Sequence, residues 1–95
     1  MRREITGVSF LVAELKRLRP FRGADAEAFG EYKAEILANS CRERELNPLD
    51  LDNQAIAEAL GYSSAESMEH VFRMKVVKAG HIAAHAYYLL RSENP

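Results

Sequence analysis

The strongest constraint on the fold is a pair of helix boundaries written almost back to back between Leu51 and Glu66. Asp52 offers a side-chain oxygen to the unpaired amides of a first helical turn, and Leu51 and Ile56 flank it as a hydrophobic staple. Ala55, Ile56, Ala57 and Leu60 supply an inner face, and Gly61 supplies the left-handed residue that stops a helix cleanly. Ser63-Ser64-Ala65-Glu66 then reads as a capping box, with Ser63 capping and Glu66 reaching back. The next helix therefore begins near Ser64, about three residues after the previous one ends. Two helices joined this tightly around a glycine form a helix-turn-helix arrangement at about residues 53–75. Ala57, Gly61, Met68, Val71 and Phe72 provide the small crossing residue, the turn and the apolar lock that such a corner requires.

Helical periodicity continues on both sides, and strand signals are absent. Ile5, Val8, Phe10 to Val12, Leu15 and Leu18 recur every three or four positions, which predicts a helix at about 8–19 ending at Pro20. Asp25 is placed to cap a second helix running to about Glu45, with Phe29, Tyr32, Ile36 and Leu37 on its buried face. Gly30 weakens that helix by roughly 1 kcal/mol of intrinsic propensity, and Asn47-Pro48 ends it. From Ser64 the pattern extends toward Leu90, with a break expected near Gly80. The expected fold is all-α, a small four- or five-helix bundle forming one domain over residues 1–95.

With 95 residues, such a domain buries only about 60–65% of its unfolded surface, so its core is thin. Between Lys78 and Arg91, the segment Ala79–Leu90 carries no Asp, Glu, Lys or Arg. It is too short to cross a bilayer. It reads either as the central core helix or as a homodimer seam, with Gly80, Ala83 and Ala84 admitting close approach and Tyr87 and Leu90 adding apolar bulk. One cysteine, Cys41, excludes an internal disulfide framework and suits a reducing compartment. The amino-terminal Met1-Arg2-Arg3-Glu4 and Ile5–Ala13 stretch superficially resembles a signal peptide. It runs into Glu14-Leu15-Lys16-Arg17 without a small-residue cleavage pattern, so the expected location is the cytoplasm.

The net charge of −1 conceals segregation: residues 1–22 hold six Lys or Arg against two acids, and residues 23–52 hold three against eight. The basic cluster comprises Arg2, Arg3, Lys16, Arg17, Arg19 and Arg22. It reads either as cations favouring the end of a helix dipole or as a patch for a phosphate-bearing partner. The acidic stretch from Asp25 to Asp52 reads as a solvated helix face, or as a mimic of nucleic-acid charge toward a basic protein.

The segment Ile56-Ala57-Glu58-Ala59-Leu60-Gly61-Tyr62-Ser63-Ser64 followed by Met68, Phe72 and Arg73 resembles the second helix-turn-helix of AraC/XylS-type transcriptional regulators. Gly61-Tyr62-Ser63-Ser64 matches that pattern residue for residue. Met68 stands at the first aromatic anchor, Phe72 matches the second, and Arg73 follows as the basic residue. The family's serine-proline-x-x-tyrosine-arginine tail is replaced by Val76 to His81, and His70 stands where arginine is common. The resemblance implies DNA binding with the 64–75 helix in a major groove. It assigns Ser64, Ser67, His70 and Arg73 to phosphate or base contact; with the groove so occupied, Lys75 is expected beside them and the basic cluster's Arg17, Arg19 and Arg22 on the backbone.

Other chemistry is poorly represented. His81 and His85 lie one helical turn apart, a zinc-compatible spacing, but Ile82 replaces the glutamate that a zinc protease needs as base. Cys41 falls near an apolar helix face, where cysteine acts as a small hydrophobe. No phosphate loop, nucleophile elbow or isolated carboxylate pair is present, so no catalytic residue, metal or cofactor is expected. The leading expectation is a small, homodimeric, DNA-binding transcriptional regulator. The alternative is a non-catalytic interaction module that docks on a protein through the acidic middle or the apolar carboxy-terminal helix.

Overall fold

The computed structural model describes residues 21–93, which form α1 (Ala24–Arg44), a 3₁₀ turn (Pro48–Asp50), α2 (Asn53–Ala59), α3 (Ala65–Lys75) and α4 (Ala79–Glu93). Among the described residues there is no strand, and the all-α class holds. The helix expected at about 8–19, with Arg17 and Arg19, lies outside the described residues.

The most extensive contact is α1 against α4. Along α1, the buried positions are Ala26, Gly30, Ala34, Leu37, Ala38 and Cys41, a stripe of mostly small side chains at helical spacing. Ile82, Ala83 and Ala86 of α4 belong to the same core. Small residues on both helices allow their axes to approach closely, and that choice sets the rotation of α1. The buried face differs accordingly from the one expected: Leu37 is enclosed, Phe29 and Ile36 flank the core, and Tyr32 is 60% exposed on the far side. Gly30 has a packing role, because a Cβ there would lie 2.6 Å from the buried ring of Phe21.

The α1 start also differs. Gly23, with φ of 91°, stands at the cap and no side chain caps the helix, while Asp25 lies inside the first turn where an acid favours the dipole. Pro48 is buried in the 3₁₀ turn, which packs on α4 and α1, and the Asn47 side chain accepts from the Leu49 amide at 2.9 Å.

Three helices end by one device. The amides of Leu46, Tyr62 and Val77 donate to the carbonyls of Cys41, Ala57 and Phe72, each at 2.9 Å, around a left-handed residue. Those residues are Glu45 (φ 56°), Gly61 (φ 86°) and Val76 (φ 59°). This double-bonded stop satisfies carbonyls that the helix end leaves unpaired. The glycine was legible, whereas the other two are ordinary L-residues held there by the bonds on either side. The break after α3 thus falls at Val76 to Lys78, just ahead of Gly80, which lies in the first turn of α4.

Ala83 and Ala84, named for a dimer seam, are buried within the chain, so the central-helix reading of α4 applies to them. Gly80 is exposed, and Tyr87 and Leu90 are half-buried.

Two stability outcomes follow from these geometries. A β-branched residue in the left-handed region costs at least about 1 kcal/mol, and Val76 is 65% exposed with little packing to lose. Val76→Gly is therefore expected to raise unfolding free energy by roughly 1 kcal/mol in urea titrations, net of the extra chain entropy of glycine. A loss instead would show that the valine side chain stabilises the junction. Conversely, Gly30→Ala should destabilise by about 1–2 kcal/mol despite its better helix propensity, because the Phe21 ring must move. An unchanged or raised melting temperature would contradict that packing.

Candidate nucleic-acid interface

The corner between α2 and α3 is held by side chains at its own helix ends. Asp52 accepts from the Ala55 amide at 2.9 Å, as its capping role requires. At the start of α3 the cap is one residue later than expected. Ser64 accepts from the Ser67 amide at 3.1 Å, and the Ser67 hydroxyl lies 3.3 Å from the donating Ser64 amide. The box is Ser64 with Ser67, in place of Ser63 with Glu66. The Ser67 hydroxyl is also 3.0 Å from the Ser64 carbonyl, to which it donates, and 3.3 Å from the Ser63 hydroxyl. Both half-buried serines assigned to phosphate or base contact are thus committed to the cap.

Two ties cross from α2 to α3, and neither was read from the sequence. The Gln54 side-chain Oε1 accepts from the Ala65 amide at 3.3 Å, satisfying an orphan donor of α3. Asn53 Nδ2 donates to Glu69 Oε2 at 2.8 Å. Both depend on tertiary approach, and neither residue pair has a local spacing that would announce it.

Met68 and Phe72 are the buried anchors of α3, as their spacing suggests. The Phe72 ring makes edge-on contacts with Phe29 at 5.8 Å and Tyr62 at 5.9 Å between centroids. Lys33 Nζ lies 4.8 Å from the Tyr62 centroid, and Lys75 Nζ lies 5.6 Å from that of Phe29. Lys75 consequently leans toward α1, away from the outer side of α3 on which it was expected to serve. That outer side is open: Glu66, Glu69, His70, Arg73 and Met74 are all exposed. Its charge is graded along the axis, with Glu66 in the first turn and Arg73 in the last, a distribution that also suits the helix dipole.

At the carboxy-terminal end of α3 lies a cleft of about 550 Å³, bordered by Arg22, Asn53, Glu69, Arg73, Lys78 and His81. Its apolar wall is formed by Phe72, Val76, Val77 and Ala79. Arg22 precedes α1, Arg73 belongs to α3, and Lys78 joins α3 to α4, so three separate segments deliver cations to one rim. Among the described residues, none of these three is paired with a carboxylate. Of the expected contacts, the structure brings together Arg22 and Arg73, leaves His70 exposed nearby on α3, and adds Lys78 and His81. Both lie beyond the recognisable motif, which gives them no role in nucleic-acid contact.

The remaining chemistry is limited. Cys41 is buried, and burial raises its thiol pKa while Arg44 opposes the shift, so the neutral thiol is favoured. The His85 ring contacts Phe21 at 6.0 Å and Tyr88 at 5.7 Å. Among the described residues, no three of His, Cys, Asp and Glu are grouped so as to hold a metal ion, and no helix is long and apolar enough to cross a membrane. No protein-family model matches this chain, and neither a curated protein nor a solved structure matches it.

Proposed function

We propose that this chain is a small DNA-binding regulator in which α2 and α3 act as a helix-turn-helix. In this reading α3 approaches a major groove with its exposed side, His70 and Arg73 face the duplex, and Arg22 and Lys78 meet backbone phosphates. The observation that carries it is the convergence on the open end of α3 of three cations that, among the described residues, have no carboxylate partner. Each phosphate contact needs a local cation, and the net charge of −1 supplies no general attraction. Arg17 and Arg19 extend the cationic run in the sequence ahead of Arg22. Because Ser64 and Ser67 are occupied by the cap, base contact falls to His70 and Arg73. Ala83 and Ala84 are enclosed within the chain, so a second copy would meet α4 through Gly80, Tyr87 and Leu90.

A second reading rests on the exposed apolar side chains Met74 and Val76, 72% and 65% accessible, close in sequence to Glu66 and Glu69. In that case the outer side of α3 docks on a protein bearing a basic, partly apolar surface. The apolar side of α4 lies largely in the core.

Fluorescence anisotropy of a labelled duplex distinguishes the two. Two phosphate contacts, from Arg22 and Lys78, imply that log K falls against log salt with a slope of about −2, and Lys78→Ala should flatten that slope by about one. Binding that is absent at low salt, or indifferent to salt, would contradict the DNA reading. Glu66→Gln combined with Glu69→Gln should tighten duplex binding by removing repulsion of phosphates. Weaker binding in that variant would show that the carboxylates serve recognition themselves.

A further inference from the structure

The cleft at the end of α3 has more structure than backbone contact requires. A cation that touches a phosphodiester backbone needs only an exposed side chain, whereas here the cations border a concave space with an apolar wall. Its volume, about 550 Å³, falls within the range of small-molecule sites. We propose that this cleft binds a small phosphate monoester whose body is apolar or aromatic.

The charge balance selects the headgroup. Arg22, Arg73 and Lys78 face one carboxylate, Glu69, which is held by Asn53 at 2.8 Å. Among the described residues, two positive charges therefore remain uncompensated at the rim. A phosphate monoester above its second pKa of about 6 is a dianion and matches them, whereas a backbone diester carries a single charge. Arginine presents paired donors to phosphate oxygens, and lysine adds a point charge. The wall selects the body: Val76 and Ala79 meet the cleft beside the buried Phe72 and Val77. Val76 is also the β-branched residue held at φ of 59°, so an unfavourable backbone state fixes an exposed apolar side chain at this rim. Strain retained beside a cleft is a common companion of binding sites.

This inference does not depend on DNA binding, and its test contains no nucleic acid. The full chain, isotopically labelled, is titrated with phenyl phosphate near neutral pH and followed by amide NMR. Phenol and inorganic phosphate are titrated in parallel. Saturable shifts are expected at Arg73, Lys78, Ala79 and His81 with a Kd below about 1 mM, and each control ligand should bind at least about tenfold more weakly. Arg73→Gln and Lys78→Gln should each weaken phenyl phosphate by about tenfold while melting at the wild-type temperature, since neither side chain is ion-paired among the described residues. Glu69→Gln should tighten it. Inorganic phosphate binding as well as phenyl phosphate would reduce the site to a surface attraction for anions and overturn the proposal. Shifts centred elsewhere, unsaturable shifts, or unchanged affinity in both neutralised variants would overturn it equally.

Discussion

Close packing of α1 on α4 through small side chains is the constraint on which the rest of the arrangement depends. Ala26, Gly30, Ala34 and Ala38 give α1 a low surface, and Ile82, Ala83 and Ala86 occupy the α4 side of the same core. A chain of this size has few large apolar side chains to spare, so close helix contact substitutes for bulk. Phe21 occupies the space left by the missing side chain of Gly30 and reaches His85 of α4. That contact ties the segment carrying Arg22 to the helix that follows Lys78. The cationic rim is therefore assembled by core packing, although each of its members is exposed.

The second level is the corner between α2 and α3, where polar groups at helix ends set the geometry. Asp52 and Ser64 satisfy first-turn amides, and Gly61 and Tyr62 close the end of α2. Gln54 and Asn53 then bridge the two helices directly. Individual hydrogen bonds of this kind contribute about 1 kcal/mol each, and their larger effect is to limit the angle at which α3 leaves the turn. Phe72 anchors α3 against α1 through Phe29, so the same residue that fixes the corner also backs the cleft.

The sequence made the punctuation of α2 readable because caps and left-handed glycine stops act over four or five residues. Asp52 and Gly61 were identifiable for that reason, and Met68 and Phe72 by their apolar four-residue spacing on the next helix. Tyr32 was misplaced because hydrophobicity alone favours large residues as the buried stripe, whereas contact with an alanine-rich partner helix selects small ones. Val76 and Glu45 could not be anticipated as helix stops, since their left-handed conformation comes from surrounding bonds and contradicts their intrinsic preference. Ser64 and Ser67 show the reverse hazard: a match to a recognition pattern assigned outward roles to hydroxyls whose local geometry turns them inward. Arg22, Arg73 and Lys78 are dispersed along the chain, and only the fold reveals them as neighbours.

The central claim is that phosphate recognition resides at this rim and not in the cations at the far end of α1. Its most direct measurement compares duplex affinity at low salt for two neutralised proteins with wild-type helical content. One carries Arg22→Gln, Arg73→Gln and Lys78→Gln; the other carries Arg42→Gln and Arg44→Gln at the far end of α1. Loss of binding in the first with retention in the second is the expected result. Retention in the first, or an equal loss in both, would contradict the claim.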